Sequence, residues 1–217
     1  FYPRRVFGYT SCPMAIRAAL FDMDGTIWDA PIDWPRLRQE IGLPLDSRPI
    51  LHHLKDMPPQ EQDRGREILE KHEALGVANG ELIPGTHELL AFLKIRQIKC
   101  ALVSNNSRKS VDAVLTRHGL SFDTVLTRDD GAFKPNPGAF LEALQLLRAR
   151  PDEAVVVGDT HLDLLAAHRA RIEEIILVGT KGWAKALLPE DVFYHDAADL
   201  FEVRAIIAQL LNRAQSQ

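Results

Sequence analysis

Five short apolar runs, separated by segments of helical periodicity, constrain the fold of this chain more than any other feature. The runs cover residues 16–22 (IRAALFD), 98–104 (IKCALVS), 123–127 (DTVLT), 154–159 (AVVVGD) and 174–179 (EIILVG). Helical patterning lies at 86–96, 107–118, 138–148, 162–170 and 199–212, and Gly119 stands where a helix would end. The runs are near-continuously apolar, which marks strands buried on both faces. Strands that alternate with helices of this length form βαβ units. The expected fold is therefore α/β, a doubly wound, Rossmann-like parallel sheet.

Residues 31–83 interrupt that rhythm. Pro31, Pro35, Pro44, Pro49, Pro58 and Pro59 divide a charged, helix-patterned stretch, and nothing in it resembles a buried strand. This predicts short helices forming a small helical cap inserted after the first strand. The core then comprises residues 14–30 and 84–217. Residues 1–13, with two arginines and no apolar core, are expected to be an extension rather than a secretory signal, contributing little to the fold. At 217 residues the chain suits one such interrupted domain.

Composition narrows the function. Twenty-six Lys and Arg against thirty Asp and Glu give a net charge of −4, which argues against a nucleic-acid surface. No apolar run is long enough to span a membrane. Cys12 and Cys100 lack a CxxC partner, so they read as one tail thiol and one core thiol, as suits a reducing, cytoplasmic setting.

In doubly wound sheets, ligands bind beyond the carboxyl ends of the strands, and there the reactive residues collect. The first run ends DMDGT. Asp22 and Asp24, two residues apart, leave an extended segment on the same side and could hold a divalent cation, although Asp-x-Asp-Gly is also a common turn. The second ends in Ser104 and Asn105, which are either anion donors or simple helix caps. After the third comes Lys134-Pro135, a lysine held out of helical geometry, with Asn136 and Pro137 as cap and first helical residue. The fourth ends in Asp159, with Asp163 one helical turn later, where Thr160-x-x-Asp163 also reads as a capping box. Each bland reading stands alone; the four together, in order, point to a site for phosphate and metal.

These motifs resemble those of the haloacid dehalogenase-like hydrolase superfamily. DMDGT (22–26), Ser104, Lys134-Pro135 and GDTHLD (158–163) match in order and spacing, over roughly residues 16–200. The inserted segment resembles the helical cap of the subfamily containing phosphoglycolate phosphatases and β-phosphoglucomutases. The resemblance implies an Mg²⁺-dependent phosphatase acting on a small phosphate ester, phosphoglycolate-like, as a monomer or small homo-oligomer. It implies Asp22 as the nucleophile that becomes an aspartyl-phosphate, and Asp24 as general acid/base. Ser104, Asn105 and Lys134 are implied as phosphate binders. Asp22, Asp24 (through its main-chain carbonyl) and Asp159 are implied as metal ligands, with Asp163 as an accessory acid. Dehalogenases of the superfamily lack the second acid, so Asp24 favours phosphoryl transfer.

A phosphosugar mutase is a second reading, less favoured because residues associated with mutase caps are missing. A non-catalytic binding protein is a third, disfavoured by the intact motifs. One departure is local: the motif-four helix is followed by Ala170-Arg171-Ile172 where relatives often have glycine, which implies a different turn. In the cap, His52, His53, Lys55, Arg64 and Arg66 could reach toward the site but read first as solvated helix faces, and Trp28 and Trp34 read as packing at the cap base rather than stacking on substrate. His161 beside aspartates is weak evidence for a transition metal.

Overall fold

The computed structural model describes residues 15–46 and 48–215. The readings made for residues 1–13, Cys12 among them, lie outside the described residues.

The chain opens on β1 (Ala18–Phe21) and β2 (Trp28–Asp29). Three helices follow, α1 (Trp34–Ile41), α2 (Ile50–Lys55) and α3 (Pro59–Asn79), then β3 (Glu81–Leu82) and α4 (Thr86–Ile95). The remainder alternates: β4 (Lys99–Val103), α5 (Arg108–His118), β5 (Thr124–Leu126), α6 (Gly138–Leu147), β6 (Ala154–Gly158), α7 (His161–Arg169) and β7 (Glu174–Val178). It closes with α8 (Gly182–Lys185), β8 (His195–Ala197) and α9 (Leu200–Gln215).

Six strands form one parallel sheet in the order β5-β4-β1-β6-β7-β8. The chain winds outward from β1 through β4 to β5, then crosses to β6 on the other side. Strand order thus reverses at β1, which opens a crevice at its carboxyl end. All four residues of β1 are buried. Alternate residues face opposite layers: Ala19 and Phe21 pack with Leu89, Val111 and Val203, whereas Ala18 and Leu20 pack with Phe140, Leu144 and Leu164.

β8 is an edge strand that the sequence does not announce, because His195-Asp196-Ala197 is short and only Ala197 of the three is apolar and buried. The two-residue strands β2 and β3 pair antiparallel and bring the two ends of the 31–83 segment together. Within that segment Leu37, Leu51, Leu54 and Leu69 form a separate small core.

Three details differ from the sequence expectation. The helix α3 runs unbroken for 21 residues, because Pro59 sits at its first position, where no amide hydrogen is needed. The helix α6 starts at Gly138 with Pro137 as its cap; Asn136 acts one residue earlier, its Oδ1 accepting from the Gly138 amide at 2.8 Å. After α7 the backbone enters the left-handed region at Arg171 (φ 60°), so the turn is of the kind glycine favours, made here with arginine.

Candidate active site

The carboxyl ends of β1, β4 and β6, with the segment that follows β5, bring the predicted residues together. Asp22 follows β1, and its amide donates to Val157 O at 2.9 Å, which docks it beside β6. Lys134 is not a solvated lysine: only 2% of it is exposed. Its Nζ lies 2.5 Å from Asp22 Oδ1 and 2.6 Å from Asp163 Oδ1. Asp163 meets both readings made for it. While one oxygen accepts from Lys134, the other accepts from the Thr160 amide (3.1 Å) and hydroxyl (2.8 Å), completing the capping box of α7.

Two glycines allow the acids to crowd. At Gly25 (φ 78°) a Cβ would lie 2.2 Å from Asp159 Oδ2, and at Gly158 one would lie 2.5 Å from the Asp163 Cβ. No side chain fits at either position without displacing an aspartate.

The SNNS segment after β4 divides its work unexpectedly. Ser104 is buried, and its hydroxyl accepts from the Asn106 amide at 3.1 Å. The carboxamide of Asn105 is engaged with the Lys134 backbone, donating to Lys134 O at 3.0 Å and accepting from the Lys134 amide at 2.8 Å. It is Asn106 that reaches across to β1, donating to Asp24 Oδ2 at 2.6 Å.

A buried ion pair ties α3 to this segment. Glu73 accepts from Arg128 with one oxygen and from the Ser107 hydroxyl (3.0 Å) with the other. Arg128 also donates to Asn105 O at 3.3 Å. Sequence reading missed Asn106, Glu73 and Arg128. Asn106 directly follows the Ser104-Asn105 pair at the end of β4, but Glu73 sits in an ordinary charged helix that carries no signal of its burial.

Electrostatics in this cluster favour protonated acids. Burial, then the Asp163 charge, raises Asp22 to about 6 against the opposing pull of Lys134. Burial and the Asp22 charge raise Asp24 to about 7. Burial, with Asp22 and Asp163, pushes Asp159 well above the carboxylate range. Burial lowers the Lys134 ammonium, but Asp163 and Asp22 more than offset it and its value rises. One lysine does not balance four aspartates.

A divalent cation fits that imbalance. Asp22, Asp159 and Asp163 each present an oxygen within 4.8 Å of the others. Asp24 Oδ1 and Asp159 Oδ1 are buried with no hydrogen-bond partner. Hard oxygen donors of this kind suit Mg²⁺ or Ca²⁺ rather than a soft metal. His161 adds a buried Nδ1 without a partner, at the start of α7.

Asp22, Asp24 and Asp159, with Lys134, form the floor of a cavity of about 590 Å³. Its far wall comes from the 31–83 segment and includes Trp34, which lies against the cavity rather than within a packed cap base; Trp28 is fully buried. His52, His53, Lys55, Arg64 and Arg66 do not line it. His52 packs on Phe133 instead, and His53 pairs with Asp46 at 3.0 Å.

A parallel sheet with its switch point at β1, and a carboxylate cluster beneath a cavity at that point, define a hydrolase-like α/β protein. Comparison with known proteins makes the class specific. The family model for haloacid dehalogenase-like hydrolases matches residues 30–171, a span that begins just after Asp22 and Asp24. A haloacid dehalogenase-like hydrolase domain-containing protein of Arabidopsis thaliana is 31% identical over 170 residues, 72% of this chain and 68% of that protein. The validoxylamine A 7'-phosphate phosphatase of Streptomyces hygroscopicus subsp. limoneus is 28% identical over 204 residues, 85% of this chain and 95% of its own. A crystal structure of a hydrolase from Pseudomonas syringae shares the fold, with a TM-score of 0.72 at 21% identity, covering 89% of this chain and 98% of that one. The chain belongs to the haloacid dehalogenase-like hydrolase family. Among the described residues no helix is long and apolar enough to cross a membrane.

Proposed function

We propose that this protein is a Mg²⁺-dependent phosphomonoesterase that works through a phosphorylated Asp22. One observation carries the reading: Lys134 is buried between Asp22 and Asp163, while Asp24 and Asp159 each retain a buried, unpaired oxygen beside them. The name of the Streptomyces relative, a phosphate phosphatase, supports the same chemistry.

In this reading an Asp22 oxygen attacks the phosphorus of the ester, and the bond from phosphorus to the alcohol oxygen breaks. Asp24 in its acid form protonates the departing oxygen. Its value of about 7, with Asn106 holding one oxygen, suits a group that must give and retake a proton near neutrality. Asp24 then takes a proton from water as that water attacks the aspartyl-phosphate, releasing phosphate and restoring Asp22. Dividing the displacement in two lowers each barrier. Lys134 and Ser104 bind the equatorial oxygens, and Asn105 acts by holding the Lys134 backbone. Asp22, Asp159 and the Asp24 carbonyl would hold the metal, with Asp163 in support. When bound, it would offset the repulsion between carboxylate and phosphate.

We further propose that residues 31–83 act as a cap that shields the aspartyl-phosphate from bulk water. Phosphate release from p-nitrophenyl phosphate with Mg²⁺ tests the whole reading. Asp22→Asn should lose at least about a thousandfold in kcat while melting as the wild type does. Undiminished turnover in that variant would exclude Asp22 as nucleophile.

A further inference from the structure

The cavity over Asp22 has two unlike halves. Opposite the charged floor stand Trp34, Pro35, Leu45, Pro49, Ile50 and Leu51. Trp34 and Leu45 remain 38% and 75% exposed, so apolar surface is left open within reach of the reaction centre. Among the described residues, Arg38 is the only basic side chain that the 31–83 segment gives to the cavity. It is already occupied: Nη1 donates to Pro44 O (3.0 Å) and Asp46 Oδ1 (3.1 Å), and Nη2 to Arg48 O. The remaining charges near this wall are acidic, Asp29, Asp46 and Glu73. Asp46 is paired with Arg38 and His53 and Glu73 with Arg128, so a substrate carboxylate would find no free cation on this wall and would face the unpaired charge of Asp29. Lys181, exposed on the core side of the cavity after β7, is the one place such a group could turn.

We propose that the preferred substrate is a phosphomonoester of an uncharged alcohol carrying an apolar group of several carbons, seated against Trp34 and Leu45. This rests on the phosphomonoesterase reading and replaces the phosphoglycolate-like substrate expected from the sequence. The phosphoryl group meets the floor, and the alcohol's carbon skeleton covers the open apolar wall. Each methylene removed fully from water is worth about fourfold in binding. A partly open wall should yield about half of that.

The test uses the Mg²⁺-loaded full chain and primary alkyl phosphates from ethyl to hexyl, whose leaving groups differ little in basicity. We expect kcat/KM to rise about twofold per methylene, roughly sixteenfold across the series, with phosphoglycolate at least about tenfold below hexyl phosphate. In Trp34→Ala/Leu45→Ala the slope should flatten towards one, with the variant's melting curve reporting that it folds. A flat wild-type series, or a preference for phosphoglycolate, would overturn the proposal. A slope that survives the double substitution would overturn the assignment to this wall. Failure to hydrolyse any ester, p-nitrophenyl phosphate included, would instead bring down the phosphomonoesterase reading on which it stands.

Discussion

The floor and the far wall of one cavity are built on opposite principles. On the floor, Asp22, Asp24, Asp159 and Lys134, with Asp163 bonded to Lys134, are packed so tightly that two glycines are needed to admit them, and Asp24 and Asp159 each keep a buried oxygen without a partner. On the wall, apolar side chains stand open and the arginine is neutralised within its own segment. The floor's geometry is set by parallel strands that cannot shift without breaking the core. The wall rests on a small core of four buried leucines. In the proposed function, the chemistry that requires fixed charges thus sits on the rigid element, and substrate choice on the element with fewer constraints. Glu73 is the exception that joins them, an acid of the 31–83 segment buried in the floor's supporting shell.

Removing the floor's lysine should separate the two regions most sharply. Lys134→Gln leaves Asp22 and Asp163 without their cation. Phosphate release should fall at least about a hundredfold, with the loss similar for short and long alkyl esters, because only the floor is touched. A loss confined to long esters would contradict that division.

Next in size is the joint between the regions. Glu73→Met strands the buried Arg128 and should cost about 3 kcal/mol of unfolding free energy in denaturant titrations. Glu73→Met/Arg128→Met should recover most of it. If the single variant were as stable as wild type, the pair would not tie wall to floor.

Acidity offers a third probe, on metal-free protein. Asp22 and Asp24 rise in the folded state to about 6 and about 7 from an ordinary 3.8. The folded form therefore binds these protons more tightly than the unfolded one. That stabilisation is complete below about pH 4 and is lost as pH climbs through 6 to 7. The melting temperature in a chelator should fall between pH 5 and 8, and Mg²⁺ should raise it most at the upper end. A chelated protein that gains stability over this window would refute the crowding of the floor acids.

The smallest effect lies away from both regions. Arg171 holds a left-handed backbone at some cost, so Arg171→Gly should raise stability by about 0.5–1 kcal/mol without altering turnover. A destabilised variant would mean that the arginine side chain contributes more than its backbone costs.

What could be read beforehand follows from how each feature is encoded. Apolar runs and helical periods record burial along the chain, so the parallel sheet, its flanking helices and the inserted segment were legible in order, with boundaries off by up to three residues. The motifs at the strand ends were legible for the same reason: the turn after each strand is a local object. β8 escaped because an edge strand of His195, Asp196 and Ala197 needs no apolar run. Trp34 was misjudged because a tryptophan in a helix looks the same whether it faces a core or a cavity.

The sequence by itself thus determined the α/β architecture and the order in which acids, serine and lysine arrive at one edge of the sheet. Only the tertiary structure decided who partners whom. Asn106 lies 82 residues from the Asp24 it bonds, and Lys134 lies 29 from Asp163. Glu73 reaches Arg128 across 55 residues, from a helix that otherwise reads as solvated. Such pairings depend on which elements pack together, and periodicity along one segment carries no information about its neighbour. The gathering of the floor residues could be anticipated because each strand-end turn is encoded by neighbouring residues in the chain. The character of the wall could not, since exposure and neutralisation are properties of an assembled surface.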